Sequence, residues 1–332
     1  MNSRRRFLEV MQFGSPDRVP YFEEGIRDEV LEVWRQQGLP RGADIGGLFP
    51  SDRLEEMEPD LDPTPPIANW PASVSQLGEL RKSLDPDDQS RLPEDLNDHV
   101  KAGKARDYTL FLRIHRGFFL SMGVRGWNRF SEVMEALVKE PQLVRESMSI
   151  RGEFAARLAE RLLQRVEVDA VIFNEPIGGN DRPLISPRMY EEFVLSSYEP
   201  VLAAVRQYGV KTIIFRTYAN ARLLIPGILK RGFNCLWACE VNAAAMDYRD
   251  IRKEFGRDLR LIGGIDLDAL RGGKEAIRRE IEEKVPALLA GGGYVPLADG
   301  RVREDVSFEN YTYYRRLLEA LTQGAASRGN SA

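Results

Sequence analysis

Residues 169–216 read DAVIFNEPIGGNDRPLISPRMYEEFVLSSYEPVLAAVRQYGVKTIIFR, and this stretch decides the fold class. An apolar run at 169–173 leads to Glu175. A helix-like segment from 187 to 208 follows, with Ser186 placed as its N-cap and Pro187 at the first helical position. A second apolar run, 211–215, then stops at Arg216. Strand, helix and strand in so short a span form the unit of a parallel sheet. Runs that are apolar throughout, rather than alternating, fit strands covered on both faces.

The same pattern extends in both directions. Downstream it predicts helix 220–231, strand 234–239, helix 246–255, strand 260–264, helix 273–290, strand 293–297 and helix 307–322, the last N-capped by Ser307. Upstream it predicts a first helix from Ser3 to Phe13 with Ser3 as its cap and a strand from Val19 to Phe22. A helix from Ile26 to Gln37, stopped by Gly38-Leu39-Pro40, a strand from Tyr108 to Ile114, and helices at 129–138 and 141–165 complete the set. Between 41 and 104 the chain is rich in Pro, Asp and Gly with little periodicity, which reads as an excursion or cap. Each strand-like run ends on an ionisable residue: Glu23, His115, Glu175, Arg216, Glu240, Asp266 and Asp299. Parallel strands of one closed sheet would bring these ends to one face and so to one pocket. The expected class is α/β, a (β/α)8 barrel, with one strand of the eight hidden in 41–104 or near Arg301 to Val306. The rival, an open doubly wound sheet, lacks support: no G-x-G-x-x-G follows the first strand and no phosphate loop occurs.

Composition sets the remaining bounds. The 332 residues are 43% apolar and 30% charged, ordinary for a globular chain, and suffice for a single barrel domain over 1–323 with a disordered tail at 324–332. A net charge of −4 argues against nucleic acid as a partner. No run approaches a membrane span and the N-terminus lacks a signal-peptide pattern, so a cytoplasmic protein is expected. The two cysteines, Cys235 and Cys239, are too few for a disulfide framework. Read as a strand, FNCLWACE holds them ~13 Å apart, too far to share one zinc ion; read as a helix, it would make them neighbours.

Three stretches resemble the uroporphyrinogen decarboxylase superfamily: the opening SRRRFLEVMQFGSPDRVPYFE (3–23), LIGGID (261–266) and GGGYVPLADGRVREDVSFENYTYY (291–314). Gly117-Phe118-Phe119, PLISPRMYEEF (183–193) and the helix opening at Lys274 add to them. The nearest branch by resemblance is that of corrinoid-dependent methyltransferases. It implies a TIM barrel, a homodimer, methyl transfer from a small methoxylated or methylated substrate, and a corrinoid on a separate protein, since the chain has no D-x-H-x-x-G signature. The chain departs from its relatives where chemistry is done. In place of a His-x-Cys zinc motif or Asp-x-Asp-Gly it has Arg216-Thr217-Tyr218-Ala219-Asn220, and in place of Pro-Asp-His it has Leu297-Ala298-Asp299-Gly300. Zinc and a tightly bound cofactor are therefore not expected. The M-R-Q-A-G-R propionate signature of the authentic decarboxylases does not follow Phe22. Decarboxylation of a small carboxylated compound and a non-catalytic binding barrel remain the alternatives.

The candidate residues divide by role. Glu175 and Glu240, which match carboxylates of the family, are candidate acids or bases; each could instead satisfy backbone donors or an ion pair. Tyr218 can donate to a developing oxyanion, and Asp266 follows two glycines that let backbone approach a ligand. Arg216 suits bidentate binding of an anionic substrate group, or else an ion pair with Glu175, Glu240 or Asp266. Glu23, His115 and Asp299 are candidate substrate contacts; Asp299 could equally form an Asp-Gly turn, and His115 a satisfied core histidine.

Overall fold

A computed structural model describes residues 1–43, 45–239 and 245–328. By internal packing the chain divides into two compact units.

The first unit comprises 55–106 and 110–234. It carries most of β1 (Leu54–Met57) and β2 (Thr109–His115), with β3 (Ala170–Glu175) and β4 (Ile213–Tyr218), in the spatial order β1-β2-β3-β4. β2, β3 and β4 run parallel, with Val171 opposite Ile213 and Glu175 opposite Thr217. Leu110, Leu112, Ile172, Phe173, Ile214 and Phe215 are fully buried, as continuous apolar strands require. Helix Pro141–Leu163 packs on helix Ser196–Gln207 so closely that a Cβ at Gly152 would lie 2.0 Å from the Ser197 carbonyl oxygen. The helix opened by Ser186, whose hydroxyl accepts from Met189 N at 3.2 Å, passes through a π-helical stretch at Tyr190–Leu195 before Ser196–Gln207.

The second unit comprises 1–54, 107–109 and the described residues from 235 onward. Its parallel strands are β5 (Cys235–Cys239), β6 (Arg260–Gly263) and β7 (Tyr294–Val295), continued by bridges between Ile265 and Ala298 and between Ile26 and Val302. Helices Tyr248–Phe255, Lys274–Gly291 and Phe308–Arg328 lie within a few residues of their expected bounds, although the last runs past 322.

Three local expectations are corrected. The first helix is capped by Asn2, whose side chain accepts from Arg5 N at 2.8 Å, and Ser3 is its first helical residue. Residues 19–22 form no named strand; Pro20 removes a donor there. The excursion is largely structured, with helices Leu77–Ser83 and Leu96–Ala102 and the strand β1. No helix among the described residues is long and apolar enough to cross a membrane.

Candidate active site

Arg216 leaves the C-terminal part of β4 and donates to Glu56 Oε1 at 3.1 Å. Glu56 comes from β1, inside the expected excursion, and its other oxygen accepts from Arg113 of β2. The chain of charges continues: Arg113 to Glu58 at 2.9 Å, Glu58 to Arg116 at 2.8 Å, Arg116 to Asp62 at 2.8 Å and Asp62 to Arg125 at 3.1 Å. Four guanidiniums thus alternate with three carboxylates, and the row carries a net positive charge. Its buried end is Arg216, 9% exposed; its wet end is Arg125, 68% exposed. Tyr218, two residues beyond Arg216, shares its face of the strand. Next to it Ala219 holds a left-handed φ of 56°, a conformation that costs a non-glycine residue energy and that clusters at functional sites. The loop after β3 reaches this end of β4, where Asn220 N donates to the Gly179 carbonyl at 2.9 Å.

Glu175 lies on the other face of the same sheet. In register Arg216 is opposite Asn174, and Glu175 is opposite Thr217, so alternation sends Glu175 and Arg216 to opposite sides. The expected meeting of these two side chains, as an ion pair or in one pocket, is corrected by that parity. Glu175 is fully buried and packs toward the helices. Its Oε1 accepts from Phe118 N at 2.8 Å, and its Oε2 accepts from the Tyr190 hydroxyl at 3.3 Å and from the Tyr198 hydroxyl. Eight residues of regular α-helix turn through about 800°, leaving the two tyrosines ~80° apart; one residue inserted by the π stretch reduces this to about 20°. Among the described residues no cation faces the carboxylate, and burial pushes its pKa up to about 7 against the pull of these three donors. Gly117 makes the approach sterically feasible: its φ is 90°, and a Cβ there would lie 2.7 Å from Glu175 Oε1.

His115 joins Glu175 rather than Arg113, although Arg113 is only two residues away. The β2–β3 register is irregular between them: Arg113 is opposite Ile172 and His115 opposite Phe173. One extra residue turns the histidine to the helix-covered face. There its ring stacks on Phe173 at 6.1 Å and meets the Tyr198 ring at 4.4 Å. Burial drives its pKa down to about 3.

In the second unit the remaining candidates form two groups. Glu23 pairs with Arg315 at 3.2 Å and accepts from the Tyr314 hydroxyl at 3.3 Å, while burial raises its pKa despite the arginine. Glu23, Ile26, Phe49, Tyr311 and Arg315 line a cavity of about 370 Å³, within the ~300–1,000 Å³ range of small-ligand sites. Asp266 and Asp299 hold turns. Asp266 caps helix Leu267–Arg271 by accepting from Asp268 N at 2.8 Å, and Asp299 accepts from Leu267 N at 3.0 Å. Asp266 is raised in pKa by burial. Glu240 lies outside the described residues.

Zinc does not fit the end of β4. The position where a ligand would stand holds a guanidinium bonded to Glu56, and among the described residues no three His, Cys, Asp or Glu side chains converge on a point. Cys235 and Cys239 lie in strand β5, in keeping with their wide separation, and Cys239 Sγ donates to Glu24 instead.

Parallel strands alternating with helices, with charged side chains at the C-terminal strand ends, define a protein of the α/β class. The model of the uroporphyrinogen decarboxylase (URO-D) family matches residues 119–297, more than half of the chain, and the protein belongs to this family, whose fold is the TIM barrel. Among solved structures the chain is similar to a methyltransferase from Methanosarcina mazei, with a TM-score of 0.63 and 15% identity over 98% of this chain and 99% of that one. No curated protein matches the sequence.

Glu56, Glu58, Arg113 and Arg116 escaped the sequence reading. Their signal was present: acids at 56 and 58, two apart as on one face of a strand, and arginines at 113 and 116 about the end of another.

Proposed function

We propose that this protein is an enzyme that takes a methyl group from a small methoxylated or methylated compound bearing an anionic group and passes it to a corrinoid carried by a separate protein. The observation that carries the reading is Arg216, held by Glu56 beside Arg113 on a face whose charges sum to a positive value. A carboxylate on the substrate answers that charge and suits a guanidinium fork. Glu56 fixes the Arg216 side chain in advance, so less ordering is needed on binding. Tyr218, on the same face, donates a hydrogen bond to the leaving oxygen as the carbon–oxygen bond breaks and the oxygen keeps the electron pair. Water supplies the proton to that oxygen. The corrinoid, when its carrier docks, supplies the acceptor for the methyl carbon. Glu175 acts as a positioning residue: its bond to Phe118 N sets the turn that follows β2. The family membership and the likeness to a methyltransferase over nearly the whole chain support an activity of this kind.

Decarboxylation is the second reading, favoured by the same guanidinium face and by the family the chain belongs to. A panel of methoxylated and methylated carboxylic acids separates the two. Demethylated product that forms only when a corrinoid carrier protein is present supports methyl transfer. Carbon dioxide released without the carrier supports the second reading. Saturable binding with neither product would leave a binding barrel and end both.

A further inference from the structure

Beneath the turn that follows β2, the first unit has a half-open cavity of about 20 Å³ lined by His115, Arg116, Ser121, Arg151, Phe154 and Leu61, among others. Space of this order holds a single water-sized group, such as one end of a small molecule. Arg151, from helix Pro141–Leu163, and His115 are both more than nine-tenths buried. Arg151 uses one nitrogen, Nη1, on the Leu61 carbonyl at 3.0 Å. Its Nε and Nη2, the two nitrogens of the side-on edge, have no partner among the described residues. His115 Nδ1 accepts from Gly117 N at 2.9 Å, which puts the ring proton of the neutral imidazole on Nε2, and that nitrogen has no partner either. Three buried donors without partners, two of them on a guanidinium, therefore border one small cavity.

The surroundings do not supply the missing acceptor. Asp62 lines the cavity, but its oxygens are taken by Arg116 and Arg125. Burial, against the attraction of Asp62 and with the positive charge of Arg91, Arg116 and Arg125, pulls the Arg151 pKa down to about 10. A buried guanidinium whose nearby carboxylate is bonded elsewhere is costly, and so is each buried donor left unpaired. An anion that met both would recover that cost.

We propose that this cavity is a binding site for the carboxylate head of a small organic acid, gripped bidentately by Arg151 Nε and Nη2 and by His115 Nε2. A planar carboxylate matches the side-on edge of a guanidinium as a spherical halide does not. Leu61 and Phe154 supply apolar walls beside the head, and the lowered local dielectric strengthens the contact. Arg116 and Asp62 of the charged row also line this cavity, but neither Arg151 nor His115 belongs to that row, and His115 lies on the helix-covered side of the sheet, away from the face that carries Arg216.

The test uses the full chain with formate and acetate as probes, sodium chloride and bromide as controls, and thermal unfolding and calorimetric titration as readouts. Formate or acetate should raise the unfolding temperature in a saturable way that halides do not reproduce. Arg151→Met, which keeps the stem and removes the donors, should weaken the apparent Kd by more than about tenfold. Arg157→Met, which removes an exposed guanidinium from the same helix, should leave it unchanged. A response to halides alone, no saturation with either acid, or a response that survives Arg151→Met overturns the proposal. Should Arg151→Met not fold, a crystal of the unaltered protein soaked in formate decides. Planar density on Nε and Nη2 supports the site, and a lone water there overturns it.

Discussion

The two faces of the β2–β4 sheet keep ionisable groups out of bulk water by opposite means. On the helix-covered face Glu175 meets two phenols and a backbone N–H group and His115 a backbone N–H group and aromatic rings, and burial, joined at His115 by the Arg151 charge, moves each pKa toward the uncharged form. On the other face Arg216, Arg113 and Arg116 keep full charges, and each is matched by a carboxylate. The difference teaches where to look for substrate binding. Groups that burial holds neutral build a scaffold, whereas charges held in a row with one positive charge in excess present a field to a ligand.

The contrast breaks most visibly at Glu175. Glu175→Leu leaves Phe118 N–H and two buried phenols without an acceptor, at ~1–3 kcal/mol for each donor. A loss of roughly 3–5 kcal/mol in unfolding free energy is expected, measured by denaturant titration. Glu175→Gln, which keeps one acceptor oxygen, should lose less. A loss under about 1 kcal/mol for Glu175→Leu would show that the carboxylate is not the organising group of this face.

The second test is pH, and its sign differs between the two groups. Glu175 titrates near 4.5 when unfolded and about 7 when folded, so between those values the folded state binds more protons. Its contribution is complete below pH 4.5 and is lost as pH rises through 7. His115 titrates near 6.5 unfolded and about 3 folded, so the unfolded state binds more protons between them. Its contribution is complete above pH 6.5 and is lost as pH falls through 3. The two oppose each other from 4.5 to 6.5. Stability of the unaltered protein minus that of Glu175→Gln should decline by up to about 3 kcal/mol between pH 4.5 and 7. The same difference against His115→Gln should rise between pH 3 and 6.5. A flat difference for either variant removes that group from this reading.

How much of this was legible beforehand depended on the strand. β2 to β6 were found within a few residues because each is a continuous apolar run, as strands buried on both faces must be. β1 was missed because Leu54–Met57 reads LEEM, charged and short, amid Pro, Asp and Gly. With it went Glu56, so the partner of Arg216 could not be named. Strand ends gave the right levels for Glu175 and Arg216 but not their sides. A one-residue error in where counting starts exchanges the faces, and the irregularity between Arg113 and His115 does so within a single strand. What converges in the first unit is set by such parity.

On the charged face the expected effect falls with exposure. Arg216→Met removes the buried end of the row and leaves Glu56 with Arg113 alone. A charged hydrogen bond to substrate is worth about 1.5–3 kcal/mol, so kcat/KM for an anionic substrate should fall by roughly 10- to 100-fold. Arg216→Lys should recover part of it, since the charge returns without the fork. An unchanged kcat/KM would take Arg216 out of the site.

Arg125→Ala tests the other end of the same row. Its partner Asp62 retains Arg116, and both Arg125 and Asp62 are well exposed, so water and salt screen the pair that is lost. Stability should change by no more than about 0.5 kcal/mol, and less at high ionic strength, as denaturant titrations at two salt concentrations would show. A loss comparable to that of a buried pair would mean that the seven groups act as one cooperative unit. The positive excess would then belong to the whole row, and Arg216 could not be treated as a local clamp.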